Sequence, residues 1–202
     1  MIGGMIMNLK NTRTHENLMR ALAGETLARA RYELAAQTAQ QAKLPVLAAV
    51  FRYTAGQEKE HAEIFAGYLR DAGEADVEIG ASFPVDTVTE PLGLLAAAAA
   101  NERNEHETVY PAFALTARQE GFEEIARKFE LIAQVEKCHA GRFETFRKLL
   151  SEGKLFSSET ACAWICLNCG HEFTAQDAPQ TCPVCGREGD FLRVEMSPYS
   201  YQ

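Results

Sequence analysis

Apolar residues recur every three or four positions through most of the first 150 residues, which is the spacing of one face of an α-helix. A first helix is predicted from a cap at Thr14 to about Gln41. A second is predicted from Pro45, which suits the first turn of a helix, to a stop at Gly73. The apolar positions behind these predictions are Leu18, Leu22, Leu27 and Leu34 in the first helix, and Val46, Val50, Phe51, Ile64, Phe65 and Leu69 in the second.

The helical period disappears between residues 73 and 88, a stretch too long for a tight turn, which fits a long crossover between two halves of a bundle. Thr89 begins a third helix. Tyr110-Pro111 must kink or loosen this helix, because proline lacks a backbone donor. Gly121 separates it from a fourth helix that ends near Gly153. The pattern predicts an all-α four-helix bundle over residues 1–152.

The composition changes after the fourth helix. Residues 153–161 form a short polar linker, and residues 162–202 contain four closely spaced cysteines with several glycines and prolines. A segment this small has too thin an apolar core to fold alone, and a bound metal ion would supply the missing stability. We therefore predict a second, small metal-knuckle domain.

Two short signatures place a glutamate three residues before a histidine: Glu58 before His61, and Glu136 before His139. On a helix this spacing puts both side chains on one face, one turn apart, where they can bind one metal ion together. A further glutamate stands 33 or 34 residues upstream of each signature. These are Glu25 and Glu102. The helical region therefore reads as two copies of one metal-binding unit.

A single helical glutamate is usually solvated, so no one of these glutamates indicates a metal site by itself. The metal site is indicated by the whole group of glutamates and histidines with this spacing. Glu102 and Glu105 follow five alanines and share a helix face. Burying several carboxylates without compensation costs several kcal/mol each, and metal coordination removes that objection. Five carboxylates and two imidazoles favour iron or manganese over zinc. The pattern is typical of a ferritin-like bundle that holds two ions between facing helices.

The cysteines form two Cys-x-x-Cys-Gly turns separated by twelve residues. Four thiolates make a tetrahedral site for zinc or a single iron, and the spacing does not choose between them. A zinc ribbon is the alternative interpretation. The predicted ligands are Cys166, Cys169, Cys182 and Cys185. Cys162 is interpreted as spare and Cys138 as a free thiol, while Trp164, Phe173 and Phe191 are expected to cover the site.

The net charge of −8 argues against nucleic-acid binding, since no basic stripe offsets it. No apolar run approaches the roughly 20 residues needed to cross a membrane. The apolar start, residues 1–7, lacks the basic leader and cleavage site of a secretory signal. We expect a cytoplasmic protein with no membrane partner.

Together the two halves resemble rubrerythrin, a ferritin-like di-iron bundle followed by a rubredoxin-like domain, from about Leu9 to Tyr199. The resemblance rests on residues 23–32 (AGETLARARY), 57–61 (QEKEH), 101–106 (NERNEH), 110–113 (YPAF), 135–139 (VEKCH) and both cysteine knuckles. Asn101, Arg103 and Asn104 depart from the more acidic stretch expected there, while every ligand position is present.

The resemblance implies two non-haem iron ions in the bundle and one iron in the cysteine site, with zinc possible there. It makes Glu58 and Glu136 bridging ligands, and it implies that one iron exchanges Glu105 for His61 on reduction. It places Tyr32 and Tyr110 near the centre and assigns catalytic roles to Glu105, His61 and Tyr32. The full implied ligand set is Glu25, Glu58, His61, Glu102, Glu105, Glu136 and His139.

The resemblance implies a peroxidase that reduces hydrogen peroxide to water. Its electrons would come through the rubredoxin-like site from an external rubredoxin or NAD(P)H-linked reductase, because the chain has no dinucleotide-binding fingerprint. Folding the small domain back onto its own bundle is expected to be awkward, so a head-to-tail homodimer, with or without swapped helices, is expected. The alternatives are an iron-oxidising or iron-storing ferritin-like protein, and a non-catalytic zinc-ribbon interaction protein.

Overall fold

The structure is a computed structural model that describes residues 8–73 and 76–196. The helices are α1 (Arg13–Gln41), α2 (Pro45–Ala72), α3 (Pro91–Asn104), a π-helical turn (Glu105–Val109), α4 (Tyr110–Gln119) and α5 (Glu123–Ser151). The strands are β1 (Ser157–Cys166), β2 (Glu172–Asp177) and β3 (Phe191–Arg193), followed by a 3-10 turn (Val194–Met196). The apolar start at residues 1–7 and the end of the small domain at 197–202 lie outside the described residues.

The start of α1 differs from the expectation. Thr12, and not Thr14, is the cap, because its Oγ1 accepts a hydrogen bond from the His15 N–H at 3.1 Å. Thr14 is engaged elsewhere: its N–H and hydroxyl donate to the Glu120 carboxylate at 2.8 and 2.6 Å. The predicted boundaries of α2 are confirmed, with Pro45 in its first turn and Gly73 left-handed at its end (φ 72°).

The third predicted helix is loosened just before Pro111, as expected. Residues Glu105–Val109 form a π-helical turn between α3 and α4. An extra residue in the turn removes the need for a hydrogen bond that proline cannot donate. Gly121 (φ 81°) then ends this helix before α5. Glu105 is the first residue of this turn, and Glu102 lies in the last turn of α3.

The bundle pairs α1 with α2 and packs α5 against α3 and α4. Its apolar core has two clusters. Tyr32, Phe51 and Phe143 lie in one, and Phe65 and Phe129 lie in the other. In α1, α2 and α5 the predicted ligands fall between the two clusters; they are Glu25, Glu58, His61, Glu136 and His139. The bundle therefore encloses a charged layer between two apolar ones.

The small domain is an antiparallel sheet of order β2-β1-β3. Strand β1 begins at Ser157, inside the segment 153–161 expected to be a linker, because Ser157 already pairs with Asp177. Trp164, Cys166, Cys182 and Phe191 form its small buried core, with Phe173 packed against it as expected. The chain therefore enters the sheet a few residues after α5 ends.

The small domain packs against its own bundle. From the sequence, this packing was expected to be awkward. Leu155 and Leu192 join the apolar cluster that contains Phe51 and Phe143. A cavity of 370 Å³ at this contact is lined by Arg142 of α5 and by Leu167 between the first two knuckle cysteines. Among the described residues, no helix combines the length and apolar character needed to cross a membrane.

Candidate metal centres

The charged layer brings together residues from all four predicted helices. Its carboxylates and imidazoles belong to α1, α2, α3 and α5, and each is less than a tenth exposed. They form two groups, and within each group the ligand atoms all lie within 4.8 Å of one another. The first group is Glu25, Glu58, His61 and Glu136, and the second is Glu58, Glu102, Glu136 and His139.

Two glutamates belong to both groups, and each uses one oxygen toward each histidine. His61 Nδ1 lies 3.1 Å from Glu58 Oε2 and 3.0 Å from Glu136 Oε1. His139 Nδ1 lies 2.9 Å from Glu58 Oε1 and 2.7 Å from Glu136 Oε2. A carboxylate that offers one oxygen to each of two neighbouring sites has the arrangement of a bridging ligand. The resemblance implied bridging roles for these same two glutamates.

The remaining ligands distinguish the two groups. Glu25 Oε2 lies 3.5 Å from His61 Nδ1, and Glu102 Oε2 lies 3.5 Å from His139 Nδ1. The two imidazole rings stack, with centroids 5.7 Å apart. The layer is therefore nearly symmetric, with one unshared glutamate and one histidine at each end.

Several ligand atoms of this layer are buried without a hydrogen bond. They are Glu25 Oε2, Glu58 Oε1, Glu102 Oε2, both oxygens of Glu136 and His139 Nδ1. Their short distances to one another lack hydrogen-bond geometry, and leaving such atoms unpaired costs about 1–3 kcal/mol each. Two divalent cations would satisfy all of them at once. The residues thus fit a di-iron centre, because oxygen and imidazole ligands suit iron.

Burial and mutual repulsion act strongly on these groups. Burial raises the pKa of Glu25 to about 8 and that of Glu102 well above its usual range. Burial also acts to raise the pKa of Glu136, but the adjoining His139 and His61 imidazoles outweigh it and lower that pKa to about 2. Burial opposes charge on His139, yet the surrounding carboxylates raise its pKa to about 12. The layer therefore has a strong affinity for positive charge.

Two tyrosines support the unshared glutamates from the apolar clusters. The Tyr32 hydroxyl donates to Glu102 Oε1, and the Tyr110 hydroxyl donates to Glu25 Oε1. Both rings are almost completely buried. Each hydroxyl orients a carboxylate and leaves that carboxylate's second oxygen free for a metal ion.

Glu105 takes a different position from the other predicted ligands. It belongs to neither group, whereas His61 faces Glu25, Glu58 and Glu136. Glu105 lies in the π-helical turn and is partly buried, and burial raises its pKa well above the usual range. The first ligand group therefore contains His61 and not Glu105.

Two polar residues behind His139 were not predicted from the sequence. Gln57 Oε1 lies 3.1 Å from His139 Nε2 and accepts a hydrogen bond from Arg142 Nη1 at 2.9 Å. Arg142 also donates to Thr54 Oγ1 at 2.9 Å. With Nε2 as the donor, His139 presents a free Nδ1 to the carboxylates, which is the tautomer that binds metal. The one available signal was that Gln57 directly precedes a proposed ligand.

The four knuckle cysteines come together in the small domain. The Sγ atoms of Cys166 and Cys185 are 3.7 Å apart, as are those of Cys169 and Cys182. A tetrahedral ion about 2.3 Å from each sulfur would separate the sulfurs by about 3.8 Å, so the spacing fits such an ion. A hydrogen bond from the Arg187 backbone, helped by Asn168, lowers the pKa of Cys185 to about 6. That favours the thiolate, the form that binds metal.

The glycines of the two knuckles have a left-handed backbone conformation. Gly170 and Gly186 have φ of 73° and 74°, a left-handed region that residues with a Cβ rarely adopt. Each glycine N–H donates to the carbonyl of the first cysteine of its knuckle, Cys166 at 2.8 Å and Cys182 at 2.9 Å. These bonds close the turns that present the thiolates.

Other polar residues close to the predicted ligands in the sequence lie outside these centres. Cys138 is a free, exposed thiol, and Cys162 is a free thiol on β1. His106 Nδ1 lies 2.8 Å from the Ala133 carbonyl, so this histidine joins two helices. Lys59 forms exposed ion pairs with Glu60 and Glu63.

Comparison with known proteins agrees with this geometry. The family model described as "Rubrerythrin" matches residues 16–150, and the model described as "Rubrerythrin, rubredoxin-like domain" matches residues 164–191. Rubrerythrin from Clostridium perfringens is 42% identical over 95% of this chain and 99% of that protein. Rubrerythrin from Nitratidesulfovibrio vulgaris is 40% identical over 88% of this chain and 92% of that protein.

Solved structures show the same fold. A structure of fully reduced, all-ferrous nigerythrin is similar, with a TM-score of 0.61 and 24% identity over 95% of this chain and 94% of that one. This likeness supports the ferritin-like bundle with a small C-terminal domain. Both family models and the sequence relatives match this chain, and the structure brings together the bundle ligands and the four cysteines. The chain therefore belongs to the rubrerythrin family.

Proposed function

We propose that the chain is a peroxidase that reduces hydrogen peroxide to water: H2O2 + 2 e⁻ + 2 H⁺ → 2 H2O. The observation that carries this proposal is the pair of adjoining ligand groups that share Glu58 and Glu136 in one buried layer. Two iron ions held there would supply two electrons together, the number that cleavage of an O–O bond requires.

The residues of the layer suit this chemistry. Carboxylates are hard ligands that tolerate both ferrous and ferric ions. Tyr32 and Tyr110 hold Glu102 and Glu25 in position, so the ligands are preorganised. As the family resemblance implies, we propose that Glu105 and His61 alternate at the Glu25 end of the layer.

We propose that the cysteine site returns electrons to the layer one at a time. This proposed electron transfer is supported by the contact between the two domains, where Leu167 of the first knuckle and Arg142 of α5 line one cavity. Arg142 bonds to Gln57, which in turn bonds to His139. The electrons would come from a separate rubredoxin or NAD(P)H-linked reductase. None of the six cysteines, all of which lie within the described residues, forms a disulfide, which suits the reducing cytoplasm.

Transfer between subunits of a head-to-tail homodimer is a second route that we propose. Leu27 and Leu34, seven residues apart on α1, are 41% and 62% exposed and provide an apolar face for a second copy. Subunits with Cys182→Ser can be mixed with subunits carrying Glu58→Ala. Peroxide turnover in the mixture, absent from both parents, would support transfer between subunits. A mixture that forms dimers and stays inactive would exclude it.

The proposed function is tested under anaerobic conditions. The iron-loaded protein is fully reduced, one equivalent of hydrogen peroxide is added, and the ferric colour of the Fe(Cys)4 site is followed. We expect the colour to return rapidly, and much faster than with dissolved oxygen. No return, with bundle iron oxidised only by oxygen, would replace the peroxidase with an iron-oxidising or storage function. A colourless protein that contains zinc and no iron would support an interaction protein.

A further inference from the structure

A cleft lies beside the metal layer, between α1, the π-helical turn and the crossover. It has a volume of 420 Å³, and Ala21, Phe83, Asn104, Glu105 and Phe113 are among its lining residues. The rim residues Ala81 and Asn104 are exposed, while the floor residues Ala21 and Tyr110 are buried. It is therefore an open cleft that ends at the bundle interior.

The floor of the cleft adjoins the Glu25 end of the metal layer. Tyr110 lines the floor and donates to Glu25, which belongs to the first ligand group. Glu105 lines the same floor and makes no hydrogen bond within the described part of the chain. A molecule in the cleft would thus meet a free carboxyl next to the metal ligands.

The cleft is held open by a fixed segment. We call residues 80–86 of the crossover the strap. Arg20 Nε donates to the Gly80 carbonyl at 3.1 Å, and Arg31 forms a two-bond ion pair with Asp86 at 2.7 and 3.0 Å. Between these anchors, the Phe83 ring lies over Gly24, 3.7 Å from where a Cβ would be. Because the strap is anchored on both sides of Phe83, the cleft is preformed.

The size and lining of the cleft exceed what hydrogen peroxide needs. At about 30 Å³ per oxygen, as in liquid water, hydrogen peroxide fills about 60 Å³. The cleft is several times larger and falls within the range of small-molecule sites, about 300–1,000 Å³. Most of its wall is apolar, contributed by residues such as Ala21, Ala81, Phe83, Pro84 and Phe113. A polar end next to an apolar wall matches a molecule with the same division.

We propose that this cleft binds the organic part of alkyl and aralkyl hydroperoxides, with the –OOH group at the Glu105 end. The substrate class then includes ROOH, reduced as ROOH + 2 e⁻ + 2 H⁺ → ROH + H2O. The O–O bond breaks, and the electrons come from the reduced protein, as they do for hydrogen peroxide. This inference rests on the proposed peroxidase function and extends it from one oxidant to a chemical class.

The test uses the full-length, iron-loaded protein and a filled cleft. Ala81→Trp places a large ring at the exposed rim, and Val85→Trp adds the same ring to the strap at a residue that is 81% exposed and does not line the cleft. Each anaerobically reduced protein receives one equivalent of cumene hydroperoxide or of hydrogen peroxide, and the Fe(Cys)4 colour is followed by stopped flow. Binding of the product alcohol, 2-phenyl-2-propanol, to the oxidised protein is measured separately by equilibrium dialysis.

We expect both peroxides to oxidise the wild type. Ala81→Trp should slow cumene hydroperoxide at least tenfold more than hydrogen peroxide and weaken alcohol binding, whereas Val85→Trp should change neither. If hydrogen peroxide oxidises the wild type and cumene hydroperoxide does not, the inference is wrong and the proposed function stands. Equal slowing of both peroxides by Ala81→Trp, with alcohol binding unchanged, also contradicts it. If neither peroxide restores the colour, the proposed function itself fails.

Discussion

Gln57 should determine how tightly the second ligand group binds metal, although it is not a ligand. Its Oε1 lies 3.1 Å from His139 Nε2 and 2.9 Å from Arg142 Nη1. Gln57→Leu keeps a similar volume and removes this acceptor. Arg142 retains Thr54, but His139 Nε2, in a fully buried residue, bonds to no other acceptor within the described part of the chain. The imidazole then loses both its orientation and its fixed tautomer.

The size of the effect follows from these contacts. Loss of such a support typically weakens metal binding by about 10–100-fold. That corresponds to about 1.4–2.7 kcal/mol. One unsatisfied buried donor also costs about 1–3 kcal/mol of unfolding free energy. Gln57→Glu keeps an acceptor at the same place and should recover most of the affinity.

The assay is an anaerobic cobalt(II) titration, in which the absorption bands of cysteine-bound cobalt separate the small domain from the bundle. Denaturant unfolding of the same samples reports stability. Gln40→Leu, at an exposed position on α1, is the matched control and should change neither quantity. If Gln57→Leu bound bundle cobalt within twofold of wild type, the hydrogen bond would not position His139 and the reasoning would be refuted.

Three further predictions follow from single residues. Glu120→Ala removes the acceptor at the start of α1 and should cost about 1 kcal/mol in urea unfolding at pH 7. Burial acts to raise the pKa of Glu120, but bonds from Thr14 and Arg13 lower it below the ordinary 4.5, so this stabilisation is present above that pH and is lost as the pH falls. A cost that persists at pH 3 would contradict this cause. Glu58 belongs to both ligand groups and Glu25 to one, so Glu58→Ala should lose both bundle ions and Glu25→Ala only one. The measurement is the number of metal ions bound per chain. Equal losses in the two variants would argue against Glu58 being shared by two ions. Cys182→Ser should unfold the small domain, which would be seen as the loss of its slowly exchanging amides. Cys138→Ser, at an exposed position, is the control and should not. Unchanged amide protection in Cys182→Ser would show that the domain folds without its metal.

Some features depended on tertiary contacts that local patterns do not contain. Thr14 was a reasonable cap, but Glu120, more than 100 residues away in the chain, accepts its hydrogen bonds and leaves Thr12 to cap α1. Strand β1 starts at Ser157 because Asp177 pairs with it, and a polar stretch alone does not reveal such pairing. In each case a distant partner decided between local options of similar energy.

The helices, their order and the residues able to bind metal could be predicted from local sequence patterns. Glu58 and His61, three residues apart, share a face in any helix, and the four closely spaced cysteines can meet in any short fold. The polar residues that support the centre, and the cleft beside it, depend on tertiary packing. Gln57 reaches His139 because α2 faces α5, and the cleft exists because the strap crosses Gly24. Helical spacing is a local property of the backbone, whereas these contacts depend on how the helices and the crossover pack.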